Sequence, residues 1–235
     1  MNVQSYKLTN EVKDVVLGAG AVVAGIGAVG RLLGRSRPES IYSVSFGLKF
    51  PDQEIDELPD DRKLMEVASC LSMHTQGIYQ QVQRVLETHH PHVCVARFDA
   101  AIPVFGVRSL DYTQKALAVL SGLGWIGKSS LLINRQYGPR LRLGTLLTDA
   151  SLVADRPETQ NRCSGCLNCQ KACPAQAVAG RSEQWDRYKV YRVNHEKCQQ
   201  HLARNISIKG RKDFCGLCMK ACPYGKNPQQ AIVAA

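Results

Sequence analysis

"GLGWIGKS", Gly122 to Ser129, matches the Walker A pattern G-x-x-x-x-G-K-[ST] at every fixed position. A working P-loop would make this an α/β nucleotide fold, with a buried strand entering the loop and a helix leaving it. The flanks argue against that. "TQKALAVLSG" (Thr113 to Gly122) is rich in strong helix formers, and Trp125 and Ile126 would crowd the backbone approach that phosphate needs. The best counter-argument is "LGTLLTD", ending at Asp149, which has the form of a Walker B strand.

Upstream, residues 5–34 read as a helix followed by a Gly/Val-rich strand and turn. "GIGAVG" (Gly25 to Gly30) within it is a lone G-x-G-x-x-G match and weak without its context. "SIYSVSFGL" (Ser40 to Leu48) alternates and is β-branched, so it reads as a strand. Apolar residues from Arg62 to Glu87 recur at helical spacing. "HVCVARF" (His92 to Phe98) is a second strand and "SLDYTQKALAVLS" (Ser109 to Ser121) a second helix. "RLRLGTLL" (Arg140 to Leu147) alternates again, with Arg140 and Arg142 expected on one face and Leu141 and Leu143 on the other. Strands and helices alternate over residues 1–150, as in a layered α/β or α+β domain. "ASLVADRPETQN" links it to the cysteine region. The contiguous histidines of "HHPH" (His89 to His92) read as an exposed turn, since no neighbouring spacing completes a ligand set.

Downstream the cysteines decide. Of ten, only Cys70 and Cys94 precede residue 160, and each is expected to be a small buried hydrophobe. "CSGCLNCQKACP" sets Cys163, Cys166, Cys169 and Cys173 before Pro174, the C-x2-C-x2-C-x3-C-P run of bacterial ferredoxins. "CGLCMKACP" adds Cys215, Cys218 and Cys222, and Cys198 upstream can complete it. In such runs the fourth cysteine serves the other cluster. One [4Fe–4S] cluster is thus expected on Cys163, Cys166, Cys169 and Cys222, the other on Cys198, Cys215, Cys218 and Cys173. Two four-cysteine zinc sites are the competing reading, but zinc needs neither the C-P ending nor the crossed ligand.

The net charge of +10 sits mostly in the same region: residues 151–235 carry 14 Lys and Arg against 6 Asp and Glu. Such an excess suits nucleic acid or an anionic partner. Two thiolate-bound clusters, at about −2 each, would offset about four of those charges. The most apolar stretch, Val15 to Gly30, is 16 residues with five glycines, short of a membrane span. Glu11 and Asp14 stand where a signal peptide needs positive charge. No membrane segment is expected, and the cytoplasm is the expected compartment.

"SGLGWIGKSSLLINRQYGPRLRLGTLLTDASL" (Ser121 to Leu152), followed closely by the double-cluster cysteine set with Cys198 isolated, resembles the epoxyqueuosine reductase family, a relative of the reductive dehalogenases. The resemblance implies an α+β chain. Residues 1–150 would form a layered, nitroreductase-like α/β domain for corrinoid and substrate, and residues 151–235 a ferredoxin-like double-cluster domain. It implies that the Walker match is accidental and that the loop faces cobalamin. Gly124, Trp125, Gly127, Lys128 and Ser129 would then line the pocket, with Lys128 either pairing with an anionic group of the cofactor or making a solvent-facing salt bridge.

Where the family keeps a catalytic aspartate upstream of the GLGW glycine, this chain has Arg108. Asp111 and Tyr112 are the nearest candidates, Tyr112 by analogy with the tyrosine proton donor of the dehalogenases. The expected activity is an iron–sulfur oxidoreductase passing electrons through two [4Fe–4S] clusters to cobalamin. Its expected donor is a reduced ferredoxin or flavodoxin-type protein, and its substrate a small or nucleoside-like molecule. Transfer RNA is a further candidate partner, although the few residues after Cys222 leave no room for the helical-repeat extension with which longer members hold it. The alternative is a double-cluster electron-transfer protein without a substrate of its own.

Overall fold

A computed structural model describes residues 3–29, 41–59, 62–97, 114–158, 160–178, 193–204 and 215–226. The elements in order are α1 (Val3–Gly18), β1 (Val23–Ala28), β2 (Tyr42–Lys49), α2 (Asp52–Asp56), α3 (Arg62–His89), β3 (Val95–Arg97), α4 (Gln114–Leu120), β4 (Trp125–Ile126), β5 (Leu132–Ile133), β6 (Leu141–Thr148), α5 (Asn168–Lys171), α6 (His195–Arg204) and α7 (Leu217–Lys220). They form two compact units. One takes in Met1–Lys49, Ser69–Gly124 and Leu141–Thr159; the other Phe50–Ala68, Trp125–Arg140 and Gln160–Ala235.

The first unit is built on a four-stranded antiparallel sheet in the order β1-β2-β6-β3. The strand period of two sorts its side chains. Val44, Phe46 and Leu48 of β2 join one core with Leu8, Val12 and Val16 of α1 and Ile78, Val82 and Leu86 of α3. Both helices present these residues at i, i+4 and i+8, one face of a 3.6-residue helix. Burying each such side chain contributes roughly 1.5–3 kcal/mol. Phe46 lies opposite Gly144 in the register. A Cβ on Gly144 would sit 2.3 Å from the Phe46 ring, so the glycine gives the ring its space.

The intervening residues are small and polar. Ser43 and Ser45 are fully buried and meet Ser121 and Thr145, each pair at 3.2 Å. α4 packs against β1, β2 and β6. The connection after β6 is a tied strap: Asp155 accepts from Lys13 Nζ at 2.7 Å and from the Ile26 N–H at 2.7 Å, and the Val153 N–H donates to Thr9.

The second unit holds the short β4–β5 hairpin and the eight cysteines from Cys163 to Cys222. Arg140 corrects the alternation expected of its strand. It precedes β6, has no exposed surface, and lies between Asp52 and Asp56 of α2, whereas Arg142 is exposed. A guanidinium can be buried there because two carboxylates pair with it. Cys70 and Cys94 are a second correction: both are exposed. Cys70 lies on an outward position of α3, and Cys94 lies just before β3, where the chain is not yet inside the sheet. Among the described residues no helix is long and apolar enough to cross a membrane.

Candidate iron–sulfur centre

The Walker context is absent at Gly122–Ser129. A helix, α4, enters the loop, and the hairpin β4–β5 follows it. The Gly127 N–H bonds to Leu131 O within that hairpin, so it is not presented to a phosphate. Asp149, the Walker B candidate, follows a strand but accepts from the Cys94 N–H at 2.9 Å.

What the loop meets is the first cysteine run. Trp125 is 1% exposed and packs edge-on to Tyr224, ring centroids 5.1 Å apart. Ile133 completes this apolar cluster, with Cys163 and Cys222 against it. A Cβ on Gly127 would lie 2.7 Å from Ile133 and 3.3 Å from Cys163 Sγ, so only glycine lets the backbone come this close. Lys128 is 6% exposed and donates to Ser164 O at 2.6 Å and Cys166 O at 3.0 Å. It makes neither a solvent-facing salt bridge nor a contact outside the cysteine loop in these bonds. Gly127, Lys128 and Ser129 line one cavity together with Cys163, Cys166, Cys169 and Cys222.

The thiols fall into two neighbourhoods. Cys169 is pushed above the usual thiol range by burial, then by Cys163 and Cys166. Burial pushes Cys222 up to about 12, with Cys163, Cys169 and Cys166 adding to it against the Tyr224 N–H. Cys198 is raised by burial, then by Cys215 and Cys173. Cys218 is pushed up to about 12 by burial, with Cys215, Cys169, Cys173 and Cys198 as its charged neighbours. Cys222 therefore keeps company with the first run, and Cys173 with the second. Cys169 beside Cys218 makes the two neighbourhoods adjacent.

These residues fit iron–sulfur clusters. Four thiols line one cavity and four more, Cys173, Cys198, Cys215 and Cys218, gather together, the ligand count that two cubes need. The Tyr224 hydroxyl, on the wall of the first cavity, is buried with no hydrogen-bond partner among the described residues, and a cluster sulfur would accept from it. Among the described residues no three His, Cys, Asp or Glu side chains close on one point, as a single ion requires. That holds for "HHPH" as well, where His89 pairs with Glu11 at 2.8 Å. Trp125, Lys128 and Ser129 are all under a tenth exposed, so these three side chains present little surface to a corrinoid, and any face for that ring is built from other residues. Asp111 and Tyr112 lie outside the described residues.

Cysteine spacing could have pointed to Tyr224 only through its neighbours in sequence. Tyr224 follows Cys222-Pro223 directly, but nothing in the sequence brings it to Trp125.

Comparison with known proteins agrees with this site. The 4Fe-4S dicluster domain family matches residues 162–226. Epoxyqueuosine reductase of Pseudomonas aeruginosa is 28% identical over 219 residues, 82% of this chain and 55% of that protein. The chain thus spans about half the length of that relative. Two solved structures share the fold. A reductive dehalogenase described as suggesting a mechanism for B12-dependent dehalogenation has a TM-score of 0.68 and 19% identity, over 98% of this chain and 34% of its own. An epoxyqueuosine reductase with an epoxyqueuosine-modified tRNA stem loop has a TM-score of 0.60 and 15% identity, over 94% and 66%. In its sequence the chain is similar to epoxyqueuosine reductases, and over residues 162–226 it matches the 4Fe-4S dicluster domain family.

Proposed function

We propose that this chain is an iron–sulfur reductase that passes single electrons through two [4Fe–4S] clusters to a corrinoid, in a reductive reaction of the epoxyqueuosine reductase kind. The observation that supports it is the cavity lined together by Cys163, Cys166, Cys169 and Cys222, with Cys173, Cys198 and Cys215 gathered near Cys218 beside it. Adjacent clusters form a short path for electrons. Trp125, Ile133 and Tyr224 keep water from the first one, which protects a reduced cluster from side reactions. Lys128 fastens the loop that carries three of its thiols.

A corrinoid, when bound, supplies a cobalt centre that acts as nucleophile or reductant. Likeness in fold to a protein of B12-dependent dehalogenation supports it. A nucleoside-like substrate, borne on tRNA, is supported by the stem-loop complex of a structural relative and by the basic excess of residues 151–235. The electron donor in this reading is a reduced ferredoxin or flavodoxin-type protein. The sheet unit, as the nitroreductase-like part, would take the substrate.

The test is anaerobic reconstitution with iron and sulfide, metal analysis, then titration with cob(II)alamin. About eight irons per chain and one bound corrinoid are expected. Eight irons with no corrinoid uptake would leave an electron-transfer protein. Zinc in place of iron would sink the cluster assignment itself. Binding to tRNA should weaken steeply with salt.

A further inference from the structure

Lys128 has a role that loop fastening does not exhaust. An ammonium group is expensive to bury unless an anion answers its charge. Lys128 is 6% exposed, and among the described residues its hydrogen bonds go to two neutral carbonyls. Those carbonyls belong to Ser164 and Cys166, inside the loop of the first cysteine run. The lysine also lines the cavity of Cys163, Cys166, Cys169 and Cys222. The anion that answers it is the cluster those thiols fit. An oxidised cube with four thiolates carries about −2 and takes one electron to reach about −3, with no bond made or broken. A fixed positive charge on the cavity wall favours the more negative state, and weak screening inside the protein enlarges the effect.

We propose that Lys128 is a positioning residue that raises the reduction potential of the Cys163/Cys166/Cys169/Cys222 cluster, making it a better electron acceptor. The inference rests on the iron–sulfur reading of that cavity. It also gives the Walker-like string its sense: a lysine behind a glycine does face an anion here, and the anion is a cluster in place of a phosphate.

The experiment is an anaerobic redox titration of the reconstituted full chain, followed by electron paramagnetic resonance. Lys128→Gln keeps a donor for the carbonyls and removes the charge; Lys128→Arg keeps the charge. With about eight irons retained, K128Q is expected to lower one of the two couples and leave the other in place. The shift should be tenfold or more in reduced-to-oxidised ratio at fixed potential, about 59 mV for a one-electron couple. K128R should stay near the parent protein. Unmoved couples in K128Q, or an equal shift in K128R, overturn the proposal. Should K128Q fail to hold the cluster, Asn168→Asp decides. Asn168 is an exposed residue on the same cavity, and its replacement leaves Lys128 bonded. N168D must lower that same couple alone, and no movement overturns the proposal. A parent protein that takes up no iron fails the cluster reading instead, before any potential is measured.

Discussion

Arg140 donates from Nη2 to Asp56 Oδ1 at 2.7 Å, from a side chain with no exposed surface to a carboxylate that is half exposed. Asp52 takes a second bond from Nη1 at 3.0 Å. The guanidinium is the buried partner, so the cost of breaking the pair falls on the arginine. Asp56→Asn should destabilise the protein by about 1–2 kcal/mol, since Asp52 still pairs with the charge. D52N/D56N together should cost roughly 3 kcal/mol or more. Urea unfolding checks both, and an unchanged midpoint in the double variant would refute the arrangement.

The same pair sets an acid limb. The hydrogen bond from Arg140 holds the Asp56 carboxyl below the usual carboxylate range, against partial burial, with the charges of Arg140, Lys226 and Lys220 also lowering it. A depressed folded value means that its stabilisation is complete above the unfolded value of about 3.9 and is lost as pH falls through the folded one. The stability difference between the parent protein and D56N should therefore shrink below about pH 4. A difference that grows with acidity would contradict the assignment.

Gly127 and Gly165 make a matched test of close packing at the first cavity. Gly127 has Ile133 and Cys163 within 3.3 Å of an added Cβ, while Gly165 has nothing within 4 Å. Gly127→Ala should cost about 1–3 kcal/mol and reduce iron uptake. Gly165→Ala should stay within about 0.5 kcal/mol of the parent and reconstitute fully. Equal iron contents for the two variants would show that the loop is not packed on the thiols.

Crossing of the cysteine sets is open to direct test. Cys222→Ser should abolish the same paramagnetic signal as Cys163→Ser, and Cys173→Ser the same signal as Cys198→Ser. Each single change should take iron from about eight toward about four per chain. If Cys222→Ser behaves like Cys218→Ser, the thiol neighbourhoods do not correspond to clusters.

Nucleotide should not bind at Gly122–Ser129. MgATP at a hundred times the dissociation constant of a working P-loop would stabilise the fold by about 2.7 kcal/mol. No change in thermal midpoint is expected at millimolar MgATP. A rise that Lys128→Gln removes would restore the Walker reading.

Much of this protein is legible directly from local order. The spacing of Leu8, Val12 and Val16 marks α1, and alternation marks β2 with its apolar and serine faces. The run Cys163 to Pro174 carries its chemistry in its spacing, because ligands to one cube must lie a few residues apart in a turning chain. Helix formers before Gly122 argue against a P-loop strand, and a helix stands there. Arg140 escapes such a reading because alternation assigns a side to each residue but cannot see Asp52 and Asp56, which lie more than 80 positions away.

The sequence by itself thus determined the elements and the metal-binding character of the cysteine region, since both depend on interactions between near neighbours. The tertiary structure alone decided which carbonyls Lys128 donates to and why Trp125 is buried. It put Trp125–Arg140 in one compact unit with the cysteines and set Tyr224 against Trp125. These are contacts between residues tens of positions apart, chosen by packing and by the need to pair a buried charge, and no local pattern encodes them.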